Sequence, residues 1–137
     1  MTFKQMILLY LIALMAFFLI DMIWLGAVAK GFYRKHLGAF MAQKIIWPAA
    51  ILFYLLFIVG LLVFVIRPAV AQGEPFQAFL FGALFGLVSY ATYDLTNLAT
   101  FKDWPLVVTV VDLAWGAALG GLVSLVSTLV GRRFLKL

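Results

Sequence analysis

Asp21 in DMIWLG, Asp94 in YDLTNLAT and Asp112 in DLAWG are the acidic residues that stand inside the long apolar runs of this chain. Carboxyl groups held near one another can do general acid–base work when their surroundings give them different affinities for a proton. Their oxygens can ligate a hard cation such as Mg²⁺, and an acidic pocket within a membrane can hold a proton or an organic cation. Trp24 follows Asp21 by three residues, Trp115 follows Asp112 by three, and Tyr90, Tyr93, Thr96 and Asn97 surround Asp94. Residues three or four apart share a helix face. The candidate ligand-binding set is therefore Asp21, Trp24, Tyr90, Tyr93, Asp94, Asn97, Asp112 and Trp115. The repeated Asp-x-x-Trp rests on two positions and is attributed to chance. No H-E-x-x-H, Walker loop or G-x-S-x-G pattern occurs, so these residues specify no catalytic residue, metal or cofactor.

The elements that must position these side chains are membrane-spanning helices. Of 137 residues, 67% are hydrophobic and 11% charged, whereas a soluble domain carries roughly a quarter charged residues. Four apolar runs, at about 6–28, 45–66, 76–99 and 106–130, reach the ~20 residues needed to cross a bilayer as helices. Their continuity excludes alternating strands of a barrel. The expected fold is all-α, one domain over 1–137, with four transmembrane helices in a compact bundle. The first run is too long for a signal-peptide core of ~7–15 residues and is read as a retained span. With no cysteine, the chain has neither disulfide nor thiolate chemistry. Its net charge of +5 comes from ten Lys and Arg outside the apolar runs, which suits lipid contact and orientation rather than nucleic acid.

The connection at 30–44, KGFYRKHLGAFMAQK, mixes cations with aromatic residues. It reads either as an interfacial segment, with Lys30, Arg34, Lys35 and His36 meeting lipid headgroups, or as an ordinary polar loop. Four spans place Lys4, Arg67, Arg132, Arg133 and Lys136 on one side and Lys30, Arg34, Lys35, Lys44 and Lys102 on the other. An equal count gives no orientation by the positive-inside rule.

The span assignment puts all three aspartates in one half of the membrane. Asp21 lies nine residues before Lys30, Asp94 eight before Lys102 and Asp112 nine after Asp103; each is thus roughly 12–14 Å from its rim charge at the helical rise. Gly82, Gly86, Tyr90 and Asp94 recur every four residues, as do Asp112, Gly116, Gly120, Ser124 and Thr128. Such small-residue stripes allow close helix packing, which is the role expected of Gly82, Gly86, Gly116 and Gly120. The run at 45–66 has no acidic or basic residue and is expected to face lipid or a partner subunit. An ionised aspartate near a span centre costs ~2.5–3.5 kcal/mol, and three unrelieved ones ~7–10. They are expected to face the interior and meet protons, a bound cation, a cationic ligand or rim cations.

Three functional readings follow. The preferred one is a binding or transport protein whose acidic pocket takes a proton and an amphipathic or cationic ligand, as a homo-oligomer because four short helices enclose little volume. The second is a lipid-modifying enzyme using Asp94 and Asp112. The third is an accessory subunit whose polar seam docks another membrane protein.

DMIWLG (21–26), YDLTNLAT (93–100) and DLAWG (112–116) are similar to a family of small bacterial inner-membrane proteins catalogued only as a domain of unknown function. The resemblance covers nearly the whole chain; it implies a multi-pass protein of the bacterial inner membrane and no particular activity. The chain also resembles small four-helix multidrug transporters in size and in using a first-helix acid. Those carry a glutamate there and lack the later pair, so that likeness is architectural.

Overall fold

The computed structural model describes residues 1–135; Lys136, counted above among the tail cations, lies outside the described residues. Four helices are long and apolar enough to cross a membrane: α1 (Phe3–Leu37), α2 (Trp47–Gln72), α3 (Pro75–Thr100) and α4 (Leu106–Phe134). Their starts are written in the sequence. Thr2 and Gln5 form a reciprocal capping box, in which the Thr2 hydroxyl accepts from the Gln5 amide at 3.1 Å and the Gln5 side chain accepts from the Thr2 amide at 2.8 Å, satisfying two otherwise orphaned donors. Pro48 and Pro75 stand in the first turns of α2 and α3, where a missing N–H costs nothing, and Pro105 is the N-cap of α4. Gly73 ends α2 in the left-handed conformation at φ 73°, which glycine adopts without penalty.

The first helix differs from the expected span. It does not stop near residue 28 but continues to Leu37, so Lys30, Arg34, Lys35 and His36 lie on a helix rather than in a loop. A π-helical turn at Leu25–Ala29 precedes that extension. A π turn inserts about one residue into the helical repeat and rotates everything beyond it by ~100°. An unbroken α-helix would carry the face of Asp21 and Trp24 on through Val28, Gly31 and Lys35, all of which are exposed. Shifted by one residue, the inward positions become Ala29, Phe32, Tyr33 and His36, which are buried or half-buried.

α2 contains a second π turn, Leu62–Ile66, just before Pro68. Proline cannot donate to the carbonyl four residues back and its ring crowds that carbonyl; the wider turn accommodates both. The helix thereby reaches Gln72, six residues beyond the expected end.

α3 and α4 pack most closely, with α1 laid along α4. The second helix, expected to face lipid or a partner subunit, keeps Leu52, Leu56 and Phe64 exposed but also turns a face inward: its Phe57, Ile58, Leu61, Leu62, Val65 and Ile66 join Leu9, Ala13 and Phe17 of α1 and Leu119 and Val123 of α4 in the core. Apolar residues cover every face of α2, so the absence of charge could not show which one is inward. The Tyr10 hydroxyl donates to the Leu55 carbonyl at 3.2 Å, tying α1 to α2. At one end of the bundle Arg132 donates to the Gly73 carbonyl at 3.0 Å. At the other, Phe40 and Phe101 gather around Trp104, with ring centroids 6.0 and 6.2 Å from it. Large apolar side chains such as Ile23, Phe64 and Phe134 are each 71% exposed, an outer surface suited to lipid.

Candidate functional site

The α3–α4 seam sets the site's geometry. A Cβ on Gly86 would meet the backbone of Gly116, and one on Gly120 the carbonyl of Gly82. Glycine lets these backbones touch, and the pairs fix an antiparallel register. Gly82 faces Gly120 and Gly86 faces Gly116, so Tyr90 comes opposite Asp112 and Asp94 opposite Val108. The Thr109 hydroxyl donates to the Asp94 carbonyl at 3.4 Å and accepts from the Trp104 indole N–H at 3.1 Å, as that register requires.

Asp94 and Asp112 are thus one helical turn apart across the seam. Side chains lean toward the N-terminus of their own helix. With antiparallel helices this carries the two carboxyls toward each other across the seam. Asp94 is 0% exposed, and neither of its oxygens has a donor among the described residues. Two carboxylates are acceptors only, so a bond between them requires a proton on one.

Asp112 is held from a second side. The Tyr33 hydroxyl, turned inward by the π turn of α1, donates to Asp112 Oδ1. One turn deeper, Trp24 and Trp115 stack with centroids 4.4 Å apart and planes 8° apart. Asp21 lies three residues beyond Trp24, on the far side of the stacked pair from Asp112. The two acids are therefore about six residues, or ~9 Å, apart along the bundle axis. Tyr90 lines the same cleft as Asp21 and Asp112 and stands one turn from Asp94 on α3.

These side chains border a cleft of about 420 Å³. α1 contributes Asp21, Trp24, Leu25 and Tyr33; α2 Phe53 and Tyr54; α3 Ser89, Tyr90 and Tyr93; α4 Asp112 and Trp115. Asp21 and Asp112 are 8% and 6% exposed, whereas Leu25, Phe53 and Tyr93 are 46%, 43% and 56% exposed. Acids are thus recessed and apolar or aromatic groups form the mouth.

Of the eight residues singled out from sequence, six line the cleft: Asp21, Trp24, Tyr90, Tyr93, Asp112 and Trp115. Asp94 stands behind Asp112 rather than on the cleft wall, and Asn97 is half-buried a turn away beside Tyr93. Tyr33, Tyr54, Ser89, Leu25 and Phe53 are additional lining residues. Tyr54 carried a legible signal, a hydroxyl inside a wholly apolar run; Tyr33 did not, because only the π turn brings it inward. No three His, Cys, Asp or Glu side chains gather closely enough among the described residues to hold a metal ion, since the Trp pair separates Asp21 from the other two acids. Lys30, Arg34 and Lys35 project outward, while the His36 ring stacks on Phe32 at 4.6 Å.

The family described as Predicted membrane protein (DUF2177) matches residues 6–129. No curated protein and no solved structure matches the chain.

Proposed function

Because the chain belongs to this family of predicted membrane proteins, we propose that it works in the bacterial inner membrane as a multi-pass binding protein for an amphipathic organic cation, which exchanges with protons in the cleft. The observation that carries this reading is the placement of two recessed carboxyl groups, Asp21 and Asp112, on the wall of an otherwise aromatic cleft. Aromatic faces attract cations through their negative π surfaces, and cages of Trp and Tyr suit quaternary ammonium groups especially. A carboxylate beneath such a cage supplies the counter-charge that the low-dielectric interior otherwise lacks. The volume falls in the range of small-molecule sites, ~300–1,000 Å³.

The mouth favours a ligand with an apolar body. Leu25, Phe53 and Tyr93 border the opening at membrane depth, so an amphiphile enters sideways from the lipid with its charged end leading toward the acids. The outward Lys30, Arg34 and Lys35 are proposed to rest among anionic headgroups and to hold the extended end of α1 at the interface.

Native mass spectrometry of the gently solubilised protein tests the assignment. Wild type is expected to retain a cationic amphiphile, supplied or co-purified, that Asp112→Asn loses. Retention of an anionic or neutral lipid at full occupancy in both proteins would sink the cation reading.

A further inference from the structure

The buried carboxyl that does not touch the cleft has a separate task. Asp94 is fully enclosed, its two oxygens receive no hydrogen bond from a donor among the described residues, and the α3–α4 register turns it toward another acceptor, Asp112. Buried polar atoms are almost always paired, and an ionised Asp94 here would be unpaired and repelled. A protonated Asp94 has instead one O–H and one natural acceptor for it, the Asp112 carboxyl. We propose that Asp94 permanently holds a proton and donates it in a hydrogen bond to Asp112, so that Asp112 alone exchanges counter-charges: a proton in the empty cleft, the ligand cation in the loaded one.

The groups facing the pair from every packed element agree with a single exchangeable charge. α1 presents the Tyr33 hydroxyl, donating to Asp112, and Asp21 on the far side of the Trp24–Trp115 stack. α2 presents Tyr54, α3 presents Tyr90 and Tyr93, and α4 presents Thr109 behind Asp94. Among the described residues no Lys, Arg or His side chain lines the cleft. Nothing within it can therefore neutralise an ionised Asp112 except what enters. When a permanent cation enters, the Asp112 O–H bond breaks and its proton goes to bulk water. The cation takes that charge's place, and Tyr33 and Asp94 both remain as donors to the new carboxylate. The Asp94–Asp112 pair together with its counter-charge is electrically neutral before and after. Asp94 acts through Asp112 and is a positioning residue; it does not contact the ligand.

This exchange rests on the cation-binding reading above, but the proton on Asp94 does not, and the experiment separates the two. Infrared spectra of the full chain in lipid bilayers are compared for wild type and Asp94→Asn at neutral pH. The wild type is expected to show a protonated-carboxyl carbonyl band that the variant lacks. A carboxylate band lost instead would overturn the inference. The same preparations are then titrated with tetraphenylphosphonium, which carries no exchangeable proton, while a pH indicator reads proton release. Wild type and Asp94→Asn, whose amide N–H₂ replaces the donor, should bind within about twofold of each other and each release close to one proton per cation. Asp94→Val, which removes the donor, should bind roughly tenfold more weakly, the worth of a hydrogen bond to a charged group. Full loss of binding in Asp94→Asn, with wild type binding, would overturn the positioning role. Failure of wild type to bind would overturn the cation site and the exchange, while the infrared bands would still decide whether Asp94 holds its proton.

Discussion

Gly86→Ala adds one methyl group where two helix backbones touch. The new Cβ would overlap the Gly116 carbonyl oxygen, lie 2.8 Å from its carbon and 3.3 Å from the Gly120 Cα. All three are backbone atoms, which cannot swing aside as a side chain would. Ordinary contact needs ~3.5–4.0 Å, so α3 and α4 must part by about 1 Å along the seam. Overpacking of this kind costs ~1–3 kcal/mol, here toward the upper end because the obstacle is rigid. Alanine returns up to ~1 kcal/mol in helix propensity, leaving a net destabilisation of about 1–2 kcal/mol. Reversible unfolding in mixed detergent, followed by circular dichroism, measures it. The matched control is Gly26→Ala in the π turn, where an added Cβ meets nothing within 4 Å. Equal stability of Gly86→Ala and Gly26→Ala would refute the close seam, and with it the register that brings Tyr90 and Asp94 to Asp112.

Two further substitutions probe the cleft walls. Tyr33→Phe removes a donor to Asp112 and should weaken cation binding by about 1.5 kcal/mol, or roughly tenfold, as read by equilibrium dialysis; unchanged affinity would show that the extension of α1 does not close on the site. Trp24→Ala should cost at least ~0.5–1.5 kcal/mol of stability from the lost Trp24–Trp115 stack alone. In that variant, quenching of tryptophan emission by a bound nitroxide-labelled cation should fall below that of wild type.

Much of the fold could be read from the chain because membranes simplify the problem. A run of about twenty apolar residues in hydrocarbon must satisfy its backbone internally and becomes a helix, so four helices followed from four runs. The glycine spacing at Gly82, Gly86, Gly116 and Gly120 likewise announced two faces that could touch. The extension of α1 was not legible: its polar composition at residues 30–37 resembles a loop, and a π turn leaves no proline or other compulsory mark at Leu25–Ala29. That single turn decides whether Tyr33 points outward or onto Asp112. The inward face of α2 was equally hidden, since every face is apolar and only packing selects one. Asp94 was visible as an anomaly, but its place behind Asp112 rather than on the cleft wall depends on side-chain lean across an antiparallel seam.

The central claim, a cation site built on Asp112, is tested most directly by calorimetric titration of dodecyltrimethylammonium into the protein in lipid nanodiscs, wild type against Asp112→Asn, with empty nanodiscs as the partition blank. The account predicts saturable binding of one cation per chain above the blank, abolished in Asp112→Asn while the variant's helix content and unfolding midpoint stay near wild type. Equal saturable binding by both proteins, or none above the blank in wild type, would contradict it.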